Sequence, residues 1–164
     1  MYFLIITSFI LISAITKINA DLNEHLVSEH NRLRKLHGVP DLKPDDELSK
    51  GCQAYAEELA TTEKFGHSAG AMKGEFGENL CAMRNDPKNC VQLWYDEIKL
   101  YDFAEGKFSK DTGHFTALVW KATTRVGVGY KTNQTSKTTY IVARYLPPGN
   151  VKGQFIENVP RPLK

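Results

Sequence analysis

A change of periodicity in the second half of the chain constrains its fold more than any other feature. Apolar side chains first recur at helical spacing, at Phe115, Leu118 and Val119, behind a helix-start signal at Asp111–Gly113. From Val126 onward, apolar residues alternate with glycines, which is the period of a strand. The sequence therefore predicts a short helix that leads into a sheet. Because the glycines leave one face of that strand bare, another element should pack closely against it.

The first twenty residues have the pattern of a secretory signal peptide. Residues 2–15 form an apolar run without a charge, Lys17 follows, and Ala20 is a small residue of the kind that precedes cleavage. The run is too short to cross a bilayer comfortably. We expect residues 1–20 to be removed and residues 21–164 to form one secreted, extracellular domain, with an uncleaved anchor as the alternative.

The balance of charge argues against nucleic acid as a partner. Removal of Lys17 takes the 21 basic side chains to 20, against 19 acidic ones. Nucleic-acid binding needs a concentrated basic surface, which this balance does not supply.

Three cysteines are few for a secreted chain, and their odd number leaves one thiol over. Cys81 and Cys90 flank a turn-rich segment and are candidates for a disulfide, although the sequence leaves the pairing open. Cys52 lies on a helical apolar stripe and is expected to be a buried free thiol. No CxxC pair is present, so the cysteines do not form a metal site.

The remaining pattern predicts an α+β fold in which helices pack on a small antiparallel sheet. Further helices are predicted over residues 22–37, 46–65 and 87–101, and strands over residues 78–83, 126–131 and 139–146. The glycine-rich segment 67–77 and the tail after residue 150 are predicted to be irregular. Helices come first and a hairpin comes last, which is the order expected of the α+β class.

The turn of that hairpin carries a candidate modification site. Asn133, Gln134 and Thr135 form an N-glycosylation sequon. Because a turn of a secreted chain is accessible to the modifying enzyme, we expect Asn133 to be a candidate glycan acceptor.

Four polar residues stand out by their positions. His67 and Glu78 lie at the two ends of the glycine-rich segment, Glu97 borders an apolar helical stripe, and His114 lies in a first helical turn. The positive end of a helix dipole disfavours a charged imidazole, so a neutral His114 ring that can bind metal or accept a proton is expected. Their spacing matches no local metal motif, and HExxH is absent. By spacing alone, each of the four could equally be an ordinary loop, cap or solvated side chain.

Three further histidines, His25, His30 and His37, lie on or at the end of the first predicted helix. We expect them to be structural. Ser68 lacks the GxSxG context of a nucleophile, and no cysteine lies within the short motifs that carry the four polar residues, so no covalent catalyst is evident.

Several motifs, in order along the chain, resemble the CAP family of cysteine-rich secretory, antigen 5 and pathogenesis-related 1 proteins, whose domain is also called SCP. They are His30–Arg32, His37–Pro40, His67-Ser68, Gly77–Leu80, Trp94–Glu97, Gly113–Tyr130 and Ala143–Asn150. The chain is most similar to the Golgi-associated plant pathogenesis-related subgroup, although Tyr2 stands where N-myristoylation requires glycine. The resemblance implies an α-β-α sandwich.

The resemblance also implies a functional cleft. By motif, the family's cleft tetrad corresponds to His67, Glu78, Glu97 and His114. In such proteins the two histidines can bind a divalent metal, often zinc, while the glutamates orient water or a ligand.

Sterol or fatty-acid ligands are a further implication of the resemblance. The sequence offers Tyr101, Phe103 and Phe108 in an aromatic loop as a surface for an apolar ligand. The alternative is that these rings only pack the loop down.

We therefore expect a secreted, non-enzymatic binding protein. One alternative is a metal-dependent hydrolase in which Glu78 or Glu97 is the general base. Another is a venom-allergen-like immune or defence effector that acts through a protein receptor or a membrane contact.

Overall fold

The structure is a computed structural model that describes residues 22–164, so the predicted signal peptide lies outside the described residues. The helices are α1 (residues 22–36), α2 (Asp46–Thr62), α3 (Ala69–Met72), α4 (Cys90–Asp96), α5 (Gly113–Val119) and α6 (Phe155–Asn158). The strands are β1 (Lys43–Pro44), β2 (Gly77–Met83), β3 (Arg125–Thr132) and β4 (Thr139–Leu146). Between residues 22 and 164, no helix is both long and apolar enough to span a bilayer.

The four strands form one sheet in the order β1-β3-β4-β2. The strands β2, β3 and β4 pair antiparallel, as predicted. At one edge, β1 pairs parallel with β3 through Lys43 and Arg125, which makes the sheet mixed. The sequence analysis missed β1 because two residues are too few to show a period.

Helix α2 packs against the bare face of β3, which fulfils the prediction of a close approach. A Cβ atom at Gly127 would lie 2.4 Å from the backbone of Leu48, and one at Gly129 would lie 2.3 Å from the backbone nitrogen of Gln53. The side chain of Gln53 also accepts a hydrogen bond from Tyr130 N. Only glycine at both positions allows the helix axis to lie this near the strand.

The alternation of β4 divides the apolar core into two layers. Tyr140 and Val142 pack with Cys52 and other residues of α2. Ile141 and Tyr145 point to the opposite face and pack with residues of α1, α4 and α5. Helices therefore cover both faces of the sheet, and the predicted α-β-α sandwich is confirmed.

Two segments that were predicted to be irregular contain short helices. In the glycine-rich segment, the Ser68 hydroxyl caps α3 by accepting a hydrogen bond from Ala71 N. In the tail, α6 forms, and Leu163 N then donates to Leu36 O at 2.7 Å, which docks the tail on the end of α1. Tertiary contacts, which periodicity does not show, stabilise both segments.

The third predicted helix is divided in three. A 3₁₀ turn (Pro87–Asn89) precedes α4, and a second 3₁₀ turn (Glu97–Leu100) follows it. The side chain of Asp86 caps the first turn by accepting a hydrogen bond from Lys88 N. The second turn tightens the helix at its end, and this turn carries Glu97.

Cys81 and Cys90 form a disulfide that joins β2 to α4. Cys52 is a free thiol and is fully buried, where its Sγ donates to Gly127 O at 3.3 Å. Burial raises the pKa of Cys52 to about 12, so the thiol stays protonated and unreactive near neutral pH.

A buried cation, Arg34, holds the segment between α5 and β3 against α1. Its guanidinium donates to Leu118 O (2.8 Å), Trp120 O (2.9 Å), Thr123 O (3.1 Å) and Pro40 O (2.8 Å). Burial lowers the pKa of Arg34 to about 10, which still leaves the group charged near neutral pH. Three of these carbonyls, those of Leu118, Trp120 and Thr123, thus fix the end of α5 and the segment after it relative to α1.

Candidate functional site

The first half of the site is an imidazole–carboxylate pair between His67 and Glu78. Glu78, on β2, has no exposed side-chain surface. Its Oε1 accepts from His67 Nδ1 at 3.1 Å and from Ser68 N at 2.9 Å, and its Oε2 accepts from Ser68 Oγ at 2.7 Å and from Arg144 Nε at 3.0 Å. The four donors occupy the acceptor positions of the carboxylate.

Charge and hydrogen bonding keep Glu78 ionised in spite of its burial. Burial acts to raise the pKa of this carboxyl group, but the hydrogen bonds from His67, Ser68 and Arg144 outweigh it. The pKa of Glu78 therefore lies below the usual value of a glutamate. The alternative that Glu78 is solvated beside its strand is wrong, because its side chain is buried.

The second half of the site is the pair formed by His114 and Glu97. The Oε1 atom of Glu97 accepts from His114 Nδ1 at 2.6 Å, and its Oε2 accepts from the backbone N–H groups of His114 (2.9 Å) and Phe115 (3.0 Å). Thr112, the N-cap residue of α5, makes no side-chain capping bond. Glu97 thus caps a helix that begins sixteen residues later, at Gly113.

The two pairs share one chemical arrangement. A carboxylate only accepts hydrogen bonds, so each histidine must carry a proton on Nδ1, and in the neutral form of the ring the lone pair is then on Nε2. Among the described residues, neither Nε2 atom has a hydrogen-bond partner, and the side chains of His67 and His114 are 44% and 34% exposed. Histidines that bind metals in proteins are commonly oriented by a carboxylate in this way.

Asn79 connects the two pairs across β2. It follows Glu78 in sequence, and its side-chain Nδ2 donates to His114 O at 3.0 Å and to the Tyr145 hydroxyl at 3.1 Å. The sequence analysis placed Asn79 in a family motif but gave it no role. The signal that could have indicated a role for Asn79 is an amide side chain directly after the cleft glutamate in the sequence.

A cleft of about 210 Å³ lies beside the first pair. His67 and Glu78 line it together with Ala117 and Asn150. Ala117 is one helical turn beyond His114, so α5 borders the cleft. Asn150 holds this turn in place by donating to Gly113 O at 2.9 Å.

The nitrogen atoms that remain open to a ligand are Nε2 of His67 and Nε2 of His114. In the described part of the chain, no group of three or more His, Cys, Asp and Glu side chains could hold a metal ion. A metal ion at these rings would have at most two imidazole ligands, with water at the other positions, and Glu78 could not join them without losing a hydrogen bond. Imidazole ligands suit Zn²⁺, Cu²⁺ and Ni²⁺ rather than Mg²⁺ or Ca²⁺.

The three aromatic residues predicted for ligand binding lie in different environments. Tyr101 is buried in the core, where its ring lies 5.5 Å from that of Phe115 and 4.9 Å from that of Phe103. Tyr101 and Phe103 therefore fit the alternative interpretation, in which the rings only pack the loop down. Phe108 is 56% exposed and lines a cavity of about 650 Å³ together with Phe155.

Asn133, the predicted glycan acceptor, is engaged in the fold. Its Oδ1 accepts from Thr135 N at 2.8 Å and from Ser136 N at 2.9 Å. Its Nδ2, the atom to which a glycan would attach, donates to Ala60 O in the last turn of α2 at 2.8 Å. Asn133 therefore links the hairpin turn to α2.

A three-layer sandwich in which one histidine–carboxylate pair lines a cleft, and a second such pair lies at the start of α5, defines a class of small α+β domains. The sequence profile described as "CAP: Cysteine-rich secretory protein family" matches residues 27–145. The chain belongs to this family.

Three proteins show the range of the similarity. Human "Golgi-associated plant pathogenesis-related protein 1" is 42% identical over 146 residues, which cover 87% of this chain and 94% of that protein. The "Secreted protein RBT4" of Candida albicans is 33% identical over 149 residues, but the match covers 85% of this chain and only 40% of that protein. The solved structure of Schistosoma mansoni venom allergen-like protein 4 superposes with a TM-score of 0.68 at 22% identity, over 85% of this chain and 96% of that one.

Proposed function

We propose that the protein is a secreted, non-enzymatic binding protein whose cleft holds a divalent metal ion, with zinc as the preferred one. His67 and His114 would bind the ion through Nε2. When bound, the metal would supply positive charge and open positions for a water molecule or an anionic group. Glu78 and Glu97 hold the two rings, and Glu78 keeps a negative charge beneath the site.

One observation carries this proposal. Each ring is held at Nδ1 by a carboxylate, at 3.1 Å for His67 and at 2.6 Å for His114. Such bonds fix the tautomer and the direction of the ring before the metal arrives, which reduces the ordering that binding would otherwise require.

The test is calorimetric titration of Zn²⁺ into the metal-free secreted protein and three variants. We expect His67→Ala and His114→Ala each to remove most of the heat of binding, because each supplies one of two protein ligands. His25→Ala is the matched control, since His25 lies on α1 without a side-chain hydrogen bond to any described residue. Binding that survives in both test variants would contradict the proposal.

A metal-dependent hydrolase remains the alternative for the same cleft. Of the two candidate general bases, Glu78 and Glu97, we propose Glu97 for this role. Glu78 has no exposed side-chain surface and its acceptor positions are filled. The Glu97 side chain is 20% exposed and accepts three hydrogen bonds, which leaves one acceptor position for a water molecule. Zinc-dependent hydrolysis that is lost in Glu97→Gln would support this alternative.

We propose a second binding function, for a sterol or fatty acid, at the cavity beside Phe108. Its volume of about 650 Å³ suits a small apolar ligand, and Phe108 and Phe155 form apolar wall. Lys107, Lys152 and Glu105 also line it, and Lys107 pairs with Glu105 at 2.8 Å, so Lys152 is the residue that would favour a ligand with an anionic end. The volume and lining of this cavity favour it, rather than the surroundings of the buried Tyr101, as the site for an apolar ligand.

The test of this second function compares two phenylalanines of equal exposure. Phe108 is 56% exposed and Phe65 is 54% exposed, but Phe108 lines the 650 Å³ cavity and Phe65 does not. We expect Phe108→Ser to weaken binding of a fluorescent sterol or fatty acid and Phe65→Ser to leave it unchanged. Equal effects of the two changes would argue against a specific site.

Secretion is part of the proposal and rests on the apolar N-terminal run and on relatives whose names call them secreted. The human relative is named Golgi-associated, so compartments differ among relatives. Recovery of the protein from culture medium with Asp21 as its first residue would establish export and cleavage together. An effector role through a receptor is the proposal that would remain if neither metal nor apolar ligand binds.

A further inference from the structure

We propose that Arg144 is a positioning residue for His67, which it holds in its metal-binding orientation through the carboxylate of Glu78. This inference deepens the proposed metal site and names the residue on which the direction of one of its two ligands depends. Nothing in the sequence spacing indicates it, because Arg144 lies 77 positions after His67.

The sheet brings Arg144 and Glu78 together. They are directly opposite each other in the antiparallel pairing of β2 and β4. Residues that are directly opposite in such a pair project to the same face, so both side chains lie on the side of α2. Arg144 Nε donates to Glu78 Oε2 at 3.0 Å, and the two side chains are 11% and 0% exposed.

The guanidinium of Arg144 is itself held in place. Its central carbon lies 4.3 Å from the centre of the Phe76 ring and 5.5 Å from the centre of the Tyr55 ring. Such contacts between a cation and the face of an aromatic ring stabilise the planar group in one orientation. Gly51 leaves room for it, because a Cβ atom there would lie 2.7 Å from Nη1.

This arrangement determines what Glu78 can offer to His67. Ser68 Oγ is the second donor to Oε2, and a hydroxyl group can turn its proton toward another acceptor. Without Arg144, the carboxylate would be buried without its cation and without a rigid donor at Oε2. Of these donors, only the N–H and the hydroxyl of Ser68 would then hold it, so its plane and its bond to His67 Nδ1 would be less firmly fixed.

His114 provides an internal control in the same molecule. Its carboxylate partner, Glu97, is oriented by two backbone N–H groups of α5, and no hydrogen bond joins Arg144 to this pair among the described residues. Loss of Arg144 should therefore change His67 and leave His114 as it is. A general loss of structure would change both.

The experiment is long-range ¹H–¹⁵N NMR of the imidazole rings in the metal-free protein, which reports the tautomer of each histidine. In the unmodified protein, we expect both rings to carry the proton on Nδ1. In Arg144→Met, His67 should show a mixture of tautomers while His114 keeps Nδ1–H, and the Zn²⁺ affinity should fall roughly 10- to 100-fold. Arg125→Met, which removes an exposed arginine paired with Asp45, should leave both rings and the affinity unchanged.

A second variant covers the case in which Arg144→Met does not fold. Gly51→Ala keeps the arginine but places a methyl group against Nη1, so the guanidinium must shift. We expect the same selective change at His67. An unchanged His67 tautomer in a folded variant would overturn the proposal.

The two proposals fail separately. If the unmodified protein does not bind Zn²⁺ but the tautomer of His67 still depends on Arg144, the positioning role stands and the metal site does not. If Zn²⁺ binds and Arg144→Met leaves both the tautomer and the affinity unchanged, the metal site stands and the positioning role is wrong.

Discussion

The Nε2 atom of His30 lies 2.9 Å from the hydroxyl oxygen of Tyr145, and this bond joins α1 to β4 inside the core. Nδ1 of the same ring donates to Leu26 O at 2.7 Å, so in the neutral ring Nε2 carries the lone pair and accepts from the Tyr145 hydroxyl. His37, just after the end of α1, repeats the pattern by donating to Pro160 O and accepting from the Tyr95 hydroxyl. Burial lowers the pKa of both rings, that of His30 to about 4.

The first prediction is that the protein loses stability in mild acid because of His30. Its folded-state pKa of about 4 lies below the ordinary 6.5, so the unfolded chain binds the proton first. The stabilisation is present above pH 6.5 and is lost as the pH falls toward 4. Between pH 7 and 5 this single group should lower the free energy of unfolding by roughly 2 kcal/mol.

Chemical denaturation at the two pH values tests this prediction. His30→Gln removes the titrating group, so its stability should change less between pH 7 and 5 than that of the unmodified protein. His25→Gln, on the same helix but only partly buried, should keep the original pH dependence. The same slope in all three proteins would show that His30 is not the responsible group.

The second prediction concerns two buried tyrosines with opposite hydrogen bonding. The Tyr101 hydroxyl is buried without a partner among the described residues, whereas that of Tyr145 bonds to both His30 and Asn79. Tyr101→Phe should leave stability unchanged or raise it by up to about 1 kcal/mol. Tyr145→Phe should lower stability by roughly 1–3 kcal/mol, because it leaves two buried polar groups without a partner.

Thermal and urea unfolding of the two variants provides the comparison. The substitution is the same chemical change in each, so differences in side-chain volume do not enter. A larger loss in Tyr101→Phe than in Tyr145→Phe would contradict the hydrogen bonds described here.

The third prediction is that Glu97→Gln affects both α5 and zinc binding. An amide offers one oxygen where the carboxylate offers two, so one of the bonds to Nδ1 of His114 or to the N–H groups at the start of α5 must be lost. We expect a loss of about 1 kcal/mol in stability and weaker Zn²⁺ binding. Urea denaturation and calorimetric titration measure the two effects.

Glu105→Gln is the control for this change, because Glu105 is exposed and bonds only to Lys107 and its own loop among the described contacts. If Glu97→Gln bound Zn²⁺ as tightly as the unmodified protein, the role of this carboxylate in orienting His114 would be wrong.

The fourth prediction separates two roles of the sequon. Asn133→Ala removes the bonds from the asparagine side chain to Ala60 O and to the backbone of the turn, and it should lower stability by about 1–2 kcal/mol even in protein made without glycosylation. Thr135→Ala abolishes the sequon but keeps Asn133, so it should not. Unfolding of both variants produced in bacteria gives the measurement, and a mass measurement of the secreted protein reports whether a glycan is present.

The local sequence pattern was sufficient to predict the elements in which successive residues follow a single period. The alternation at Val126 predicted β3, and the paired glycines predicted the close approach that α2 makes. The position of Glu97 at the border of an apolar stripe left open whether its carboxylate lies at a cleft or points to solvent, and in the structure that side chain is 20% exposed. In each case the signal lay within one element of secondary structure.

The contacts that complete the site were beyond sequence reasoning because they join distant segments. Arg144 reaches Glu78 only because β2 and β4 are neighbours in the sheet. The sequence of neither strand specifies which strand will be its neighbour. The capping of α5 by Glu97 requires the chain to return across fifteen intervening residues, from the second 3₁₀ turn to Gly113. Periodicity describes which face of an element is buried, but not which element will cover it.

The filled acceptor positions of Glu78 make the two histidine–carboxylate pairs unequal. The pair that contains His67 is held through every acceptor position of its carboxylate, so it should keep its shape when a ligand enters the cleft. The pair that contains His114 depends on a carboxylate with one acceptor position still open and some contact with water. Substitutions that adapt the site to a new ligand, whether by evolution or by design, should therefore occur at Glu97 rather than at Glu78.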